Sequence, residues 1–234
     1  MAELTVPYIL TLAAADAVNP CALAVLTLVL VAILTKYPKE RHKVLTVGLS
    51  FTLAVFILYY IYGLLIINLF KAAVEFMSSY SDWLYKGLGV VAMLLGALNI
   101  KDYWSYGAGG FVMEVPKKWR PSMKKLISGV SSARGAFAIG AFVSVFLLPC
   151  TVGPYIVAGG LLSTIEFLAT MPWLFLYNVI FILPMIGITL AVYAGFTTVD
   201  RASGWREKNI RRLHLVAGAI MFLIGLALAV GWIA

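Results

Sequence analysis

Two short motifs, each in the middle of a long apolar run, most constrain how this chain can fold. Cys21 directly follows Pro20, Cys150 directly follows Pro149, and the chain of 234 residues contains no other cysteine. A cysteine alone packs in such a run as a small apolar residue, whereas a proline interrupts the hydrogen bonding of a helix. The same pair at matching positions in two apolar runs predicts two related helix breaks.

The composition places these runs in a lipid bilayer. The chain is 62% hydrophobic and 12% charged, with a mean hydropathy of +0.97, whereas a soluble domain is about half apolar and a quarter charged. We therefore predict an all-α polytopic membrane protein with six transmembrane helices of about 20 residues or more. No Lys or Arg precedes Lys36, so the basic start of a signal peptide is missing and the first apolar segment is expected to be a retained span. The predicted spans are residues 5–35, 44–70, 83–100, 136–163, 171–197 and 213–234.

The basic residues predict the orientation of these spans. The segments after the first, third and fifth spans hold 16 of the 18 Lys and Arg residues, and only Lys71 and Lys86 lie on the other side. Because basic loops stay in the cytoplasm, both termini are predicted to be extracytoplasmic. Tyr59, Tyr60 and Tyr62 in the second span are typical of a membrane interface. The loops explain the net charge of +8, so we expect no binding to nucleic acid.

A constant offset between glycines predicts an internal repeat. Cys150 follows Cys21 by 129 residues, and the same offset separates Gly89 from Gly218 and Gly96 from Gly225. A three-span unit used twice enters the membrane in opposite directions, which gives an inverted repeat about an axis in the bilayer plane. Cys21 and Cys150 would then meet near the midplane, within the Cα separation of about 4.4–6.8 Å that a disulfide requires.

The repeat also predicts the domain organisation. The first three-helix repeat occupies residues 1–100, a cytoplasmic loop occupies 101–135, and the second three-helix repeat occupies 136–234. The loop mixes aromatic residues such as Tyr103 and Trp104 with lysines and arginines, which favours a position at the lipid headgroups. Two interpretations stay open, a solvated loop and a docking surface for a soluble partner.

The Pro-Cys pairs suggest reactive thiols. Proline suits the first position of a helix, so each cysteine would be the second residue of a half-helix, whose backbone N–H groups favour the thiolate. Because hydrocarbon opposes that charge, a reactive thiolate would need a water-filled cavity lined by the broken helices. The alternative is a pair of inert cysteines beside two kinks. The residues predicted to break the helices or line the cavity are Asn19, Pro20, Pro149, Thr151, Gly153 and Pro154.

Four other residues are weaker candidates for the site. Asp16 is a carboxyl five residues before Cys21, and an ionisable group inside a span suggests function, although it would be exposed if the span begins later. Tyr177, Asn178 and Pro184 form a polar, proline-containing stretch in the fifth span. They either border the cavity or serve ordinary packing between helices.

At these residues the chain resembles the CcdA family and the transmembrane domain of DsbD. The resemblance depends on residues 19–22, on residues 148–154, and on Tyr177, Asn178 and Pro184, and it extends over the whole chain. It implies a transmembrane thiol-disulfide oxidoreductase, in which cytoplasmic thioredoxin reduces a Cys21–Cys150 disulfide. The dithiol would then reduce an extracytoplasmic thioredoxin-like protein, with cytochrome c maturation as the usual destination. The two cysteines would be catalytic, and no cofactor or metal would be needed.

Two other functions compete with this interpretation. Inverted repeats and broken helices are also typical of small-solute and metal transporters, for which Asp16, Asn19 and Thr151 would be candidate substrate ligands. The other alternative is a structural or assembly subunit with inert cysteines. The symmetric position of the two cysteines favours the electron carrier, whose partners would be the two thioredoxin-like proteins and the lipid bilayer.

Overall fold

The computed structural model describes residues 2–17, 20–37, 40–76, 81–105, 127, 130, 132–163, 166–195 and 197–232. Within them, three helical segments are long and apolar enough to cross a membrane: Arg41–Ala73, Phe167–Tyr193 and Glu207–Val230. Large apolar side chains such as Leu65 and Leu223 are more than 60% exposed, as expected for surfaces in contact with lipid. The protein is therefore an all-helical membrane protein, as predicted. Its described helices, numbered α1 to α7, are Ala2–Ala17, Pro20–Lys36, Arg41–Phe76, Ser81–Ser105, Ala133–Ser163, Phe167–Tyr193 and Val199–Val230.

The first predicted span is divided into two helices, as its proline predicts. Helix α1 ends at Ala17, and α2 begins at Pro20 with Cys21 as its second residue. Proline suits this position because the first N–H groups of a helix have no partner within it.

The break predicted at Pro149 in the fourth span is not found. Helix α5 runs without interruption from Ala133 to Ser163, and Cys150 therefore lies inside a continuous helix. Neighbouring helices and hydroxyl side chains make a proline tolerable inside a membrane helix. Here α5 packs extensively against α3, and the Thr151 hydroxyl is hydrogen-bonded to Tyr59 of α3.

The glycines that predict the repeat form a close antiparallel contact between α4 and α7. A Cβ added at Gly89 would lie 2.7 Å from the carbonyl oxygen of Gly225, and one added at Gly218 would lie 2.7 Å from that of Gly96. In the reverse direction, a Cβ added at Gly96 would lie 2.8 Å from the carbonyl oxygen of Gly218, and one added at Gly225 would lie 2.8 Å from that of Gly89. We call this contact the glycine seam.

The offset of 129 residues also relates contacts in the seam between a glycine and a residue that is not glycine. A Cβ at Gly96 would lie 2.7 Å from the backbone nitrogen of Phe222, and a Cβ at Gly225 would lie 2.7 Å from that of Met93. Adding 129 to 96 and subtracting it from 222 converts the first contact into the second. The contacts between α4 and α7 are therefore related by a local two-fold exchange of the two helices.

Helix α7 begins earlier than the predicted sixth span. The basic segment expected to be a loop is helical from Val199 onward. The Thr198 hydroxyl accepts a hydrogen bond from the backbone N–H of Arg201 at 3.3 Å, which satisfies one of the free donors at the helix start. Of the predicted 101–135 loop, residues 106–126 lie outside the described residues.

Candidate functional site

Polar side chains from four helices meet in the interior of the protein. Each is at most 3% exposed, although its helices are mostly apolar. Each of the three tyrosines lies at least two turns from both ends of its helix, so the group lies inside the helical bundle and away from the helix ends. We call this group the polar cluster; its members are Asp16 of α1, Tyr59 of α3, Thr151 and Tyr155 of α5, and Tyr177 and Asn178 of α6.

The carboxyl of the polar cluster is bound to a phenol. The Tyr177 hydroxyl donates a hydrogen bond to Asp16 Oδ2 at 3.2 Å. Asp16 precedes the last residue of α1, directly before the division of the first span. This bond therefore connects the end of α1 to the middle of α6.

Tyr155 connects the other three helices. Its hydroxyl donates to the backbone carbonyl of Tyr59 at 2.5 Å and accepts a hydrogen bond from Asn178 Nδ2 at 2.9 Å. Asn178 Nδ2 also donates to the Leu174 carbonyl at 2.8 Å, and the Tyr59 hydroxyl is 2.8 Å from Thr151 Oγ1. One tyrosine thus holds α3, α5 and α6 together through a buried, connected network, which favours a single packing arrangement.

Aromatic packing links the two hydrogen-bonded groups. The Tyr155 ring lies edge-on to the Tyr177 ring at a centroid distance of 5.2 Å and edge-on to the Tyr59 ring at 5.5 Å. Phe181 packs against Tyr59 at 5.0 Å. Edge-on pairs add favourable electrostatics to the buried area, so the aromatic rings join the two groups into one packed unit that includes the carboxyl of Asp16.

Four residues that the sequence singled out belong to this cluster: Asp16, Thr151, Tyr177 and Asn178. The other two members, Tyr59 and Tyr155, were missed. Tyr59 was assigned to the membrane interface, and that assignment is wrong because the side chain is completely buried. Its position near the middle of the predicted span 44–70 was the signal in the sequence against an interface.

The remaining predicted residues lie elsewhere. Gly153 and Pro154 are buried in α5, and a Cβ at Gly153 would lie 2.8 Å from the sulfur of Met221, so this glycine accommodates a neighbouring side chain. Asn19 and the side chains of Pro20, Cys21, Pro149 and Cys150 lie outside the described residues. The proximity of the two cysteine sulfurs stays a prediction.

An apolar cleft of about 610 Å³ adjoins the polar cluster. Its deep end is lined by Ala17 and Leu23, on either side of the division between α1 and α2, and by Pro184 of α6. The wall continues along α6 to Ala191, a distance of about 10 Å at 1.5 Å per residue. The other end is lined by Thr197, Arg201, Trp205 and Leu213, so a cation and an indole ring lie at the mouth of an otherwise apolar space.

A second, more polar cleft of about 440 Å³ lies beside this mouth. Thr197 lines both clefts, and the second is also lined by Arg41, Thr198 and Thr35. It places the start of α3 beside the connection between α6 and α7. Two of the basic segments identified in the sequence therefore lie at the same end of the molecule.

Comparison with known proteins identifies the family. Residues 9–233 match the SfLAP family, described as Sap, sulfolipid-1-addressing protein. The chain belongs to the SfLAP family. Comparison with curated proteins and with solved structures finds no significant match.

Membership of the SfLAP family corrects the interpretation drawn from the Pro-Cys pairs. The match covers nearly the whole chain, so the resemblance to CcdA and to DsbD is wrong. The electron-carrier function, and the thioredoxin and cytochrome c connections that followed from it, have no support in an SfLAP protein. The membrane location stands, because the helices are long and apolar enough to cross a bilayer.

Proposed function

We propose that this SfLAP protein binds an amphipathic, sulfated lipid in the apolar cleft and takes part in its export through the membrane. The family description names a sulfolipid, which supports the choice of lipid. The observation that carries the proposal is the change along the cleft from apolar walls to the Arg201 and Trp205 end. A cleft of this polarity matches a molecule with hydrocarbon chains and one charged group.

The chemistry of the cleft mouth suits a sulfate ester. Arg201 presents a planar guanidinium that donates two parallel hydrogen bonds to an oxyanion. Trp205 is 57% exposed, and indole rings favour the level of the lipid headgroups. The described residues that line the deep end, in α1, α2 and α6, are apolar, and burial of each methylene of a lipid chain there contributes about 0.8 kcal/mol.

The architecture that we propose for this function is an inverted repeat of two three-span units, which gives six spans. The two-fold contacts of the glycine seam support this arrangement, because the seam joins the last helix of each unit. The cleft mouth would face the cytoplasm, since Arg41 and Arg201 belong to the basic segments that the positive-inside rule places there. A lipid would then enter from the cytoplasmic leaflet.

Replacing Arg201 with glutamine is expected to weaken binding of a sulfated lipid by about tenfold, because a charge-assisted hydrogen bond contributes about 1.5–3 kcal/mol. The measurement is the dissociation constant of fluorescent 3-sulfogalactosylceramide for the purified protein in nanodiscs. Uncharged galactosylceramide should bind Arg201→Gln and the unmodified protein equally well.

The matched control for this experiment is Arg211→Gln. Arg211 is exposed on the same helix and lines neither cleft, so its loss removes the same charge without touching the proposed site. If both variants weaken binding equally, the effect is a general attraction between a basic surface and an anion, and the assignment of the headgroup to Arg201 is wrong.

The proposed orientation predicts that both termini lie outside the cytoplasm. Epitope tags added at either end should be labelled by antibody on intact cells with the outer layers of the envelope removed. A tag in the 101–135 segment should be labelled only after permeabilisation. Labelling of that internal tag in intact cells would reverse the orientation and place the cleft mouth on the opposite side.

A further inference from the structure

The polar cluster contains a carboxyl at a depth where a fixed charge is costly. Asp16 is 1% exposed and is hydrogen-bonded to Tyr177, near the middle of α6. A carboxylate at such a depth is expensive, and carboxyls there commonly mark proton pathways. Its neutral and ionised forms therefore differ in free energy according to how much water reaches the site.

The partner of Asp16 accommodates both protonation states. As an ionised group, Asp16 accepts the hydrogen bond that Tyr177 donates at 3.2 Å. As a neutral acid, it can donate its own proton to the same phenolic oxygen, since a tyrosine hydroxyl is both donor and acceptor. Exchange of a proton at Asp16 thus requires the Tyr177 hydroxyl hydrogen to turn away from the carboxyl, with the ring kept in place.

The cluster groups that face Asp16 are hydroxyls. They are the hydroxyls of Tyr177 on α6, Tyr155 on α5 and Tyr59 on α3. On α7, which also packs against α1, the buried titratable side chain among the described residues is His214, bound to Asn99 of α4 at 3.0 Å. The lysines and arginines whose side chains the structure describes are at least partly exposed.

Asp16 also lies directly beside the proposed lipid site. The next residue, Ala17, lines the deep end of the apolar cleft together with Leu23 of α2. The two lie on opposite sides of the division between α1 and α2. A change of charge at Asp16 therefore acts on the two helix ends that enclose the deep end of the cleft.

We propose that Asp16 reversibly binds a proton and couples proton movement through the membrane to lipid movement. This inference rests on the proposed function. On the side with more protons, the carboxylate takes up one proton and becomes a neutral acid. On the other side the acid releases that proton, so each cycle moves one proton and needs no other reactant. Tyr177 is a positioning residue that holds the carboxyl in both states.

Proton binding is tested first without any lipid transport. Infrared difference spectroscopy of the purified protein in nanodiscs, titrated from neutral to acidic pH, should show the C=O band of a buried neutral carboxyl. The band should be missing from Asp16→Asn, shifted in Asp16→Glu and unchanged in Asp102→Asn. Asp102 is a matched control because it is an equally buried aspartate on α4, outside the cluster. A band that persists in Asp16→Asn overturns the proposal.

Coupling is tested in proteoliposomes containing fluorescent 3-sulfogalactosylceramide, with transfer between leaflets measured by chemical quenching from outside. A pH gradient of about two units should accelerate transfer by roughly tenfold. Asp16→Asn should transfer lipid at one rate with and without the gradient, whereas Asp16→Glu should regain part of the acceleration. If the unmodified protein transfers lipid at the same rate with and without the pH gradient, the proposed coupling is wrong and the proposed function still holds. No transfer at all overturns both, while the infrared band still reports the proton site.

Discussion

Replacing Gly96 with alanine is expected to lower the free energy of unfolding by about 2 kcal/mol, within the range for overpacked interiors. The added Cβ would lie 2.7 Å from the backbone nitrogen of Phe222 and 2.8 Å from the carbonyl oxygen of Gly218. Backbone atoms cannot rotate away as a side chain does, so α4 and α7 must move apart along the glycine seam. The measurement is unfolding by titration with dodecyl sulfate in mixed micelles.

The two-fold contacts of the seam make this prediction more specific. Gly225 is related to Gly96 by the offset of 129 residues and has an equivalent contact with Met93, so Gly225→Ala should cost a similar amount. Gly87→Ala is the control, because a Cβ there meets nothing within 4 Å. Alanine at that exposed helical position should stabilise the protein by up to about 1 kcal/mol. Equal stabilities of Gly96→Ala and Gly87→Ala would show that the seam is not closely packed.

Much of the fold follows from the sequence for simple physical reasons. Long apolar segments require a membrane, and Pro20 predicts the start of a helix because proline has no N–H to lose. The glycines of α4 and α7 are also predictive, since the offset that relates Gly89 to Gly218 reappears as contacts between the backbones of the two helices. Such contacts leave no room for a Cβ atom and therefore require glycine, which is visible in the sequence.

Two errors in the fold have a common cause. Pro149 does not divide α5, and the basic segment from Val199 is helical although it precedes the apolar span. In both cases the surroundings outweigh the local sequence preference. Packing against α3 keeps α5 continuous at Pro149, and the Thr198 cap supports the helix that begins at Val199. Neither influence is visible in a single stretch of sequence.

The candidate site was harder to predict because it does not follow the repeat. The residues 129 positions from Tyr59 and Tyr155 are Ile188 and Leu26, and Ile188 lines the apolar cleft instead of a polar group. A search for paired residues therefore favoured the two cysteines and passed over these tyrosines. The two halves of a repeat share a backbone plan, whereas a site that binds one asymmetric molecule needs different side chains in each half.

The mistaken family has a related explanation. Pro-Cys pairs in apolar helices are short motifs, and each residue has an ordinary role at a helix start or in apolar packing. An equal offset between two such motifs is expected from any repeated membrane unit, whatever its chemistry. Symmetry of position was therefore taken as a sign of shared chemistry, although the family match, which covers residues 9–233, is to the SfLAP family.

Replacing Tyr155 with phenylalanine is expected to cost about 3 kcal/mol of stability, more than any other removal of a single oxygen from the cluster. The hydroxyl donates to the Tyr59 carbonyl and accepts from Asn178 Nδ2, so its loss removes two hydrogen bonds. One N–H of Asn178 Nδ2 then loses its buried acceptor, while the other still donates to the Leu174 carbonyl. An unsatisfied buried polar group alone costs about 1–3 kcal/mol. The same detergent titration measures the change, with Tyr193→Phe as the control, since Tyr193 is 40% exposed at the end of α6.

A double replacement distinguishes this network from simple loss of packing. If the unsatisfied amide causes most of the damage, Tyr155→Phe combined with Asn178→Leu should be less destabilising than the sum of the single changes, because the second change removes the stranded donor. If the hydrogen bond between Tyr155 and Asn178 contributes little to stability, the two effects should add. Additive losses would therefore contradict the assignment of this stability to the hydrogen bonds of Tyr155.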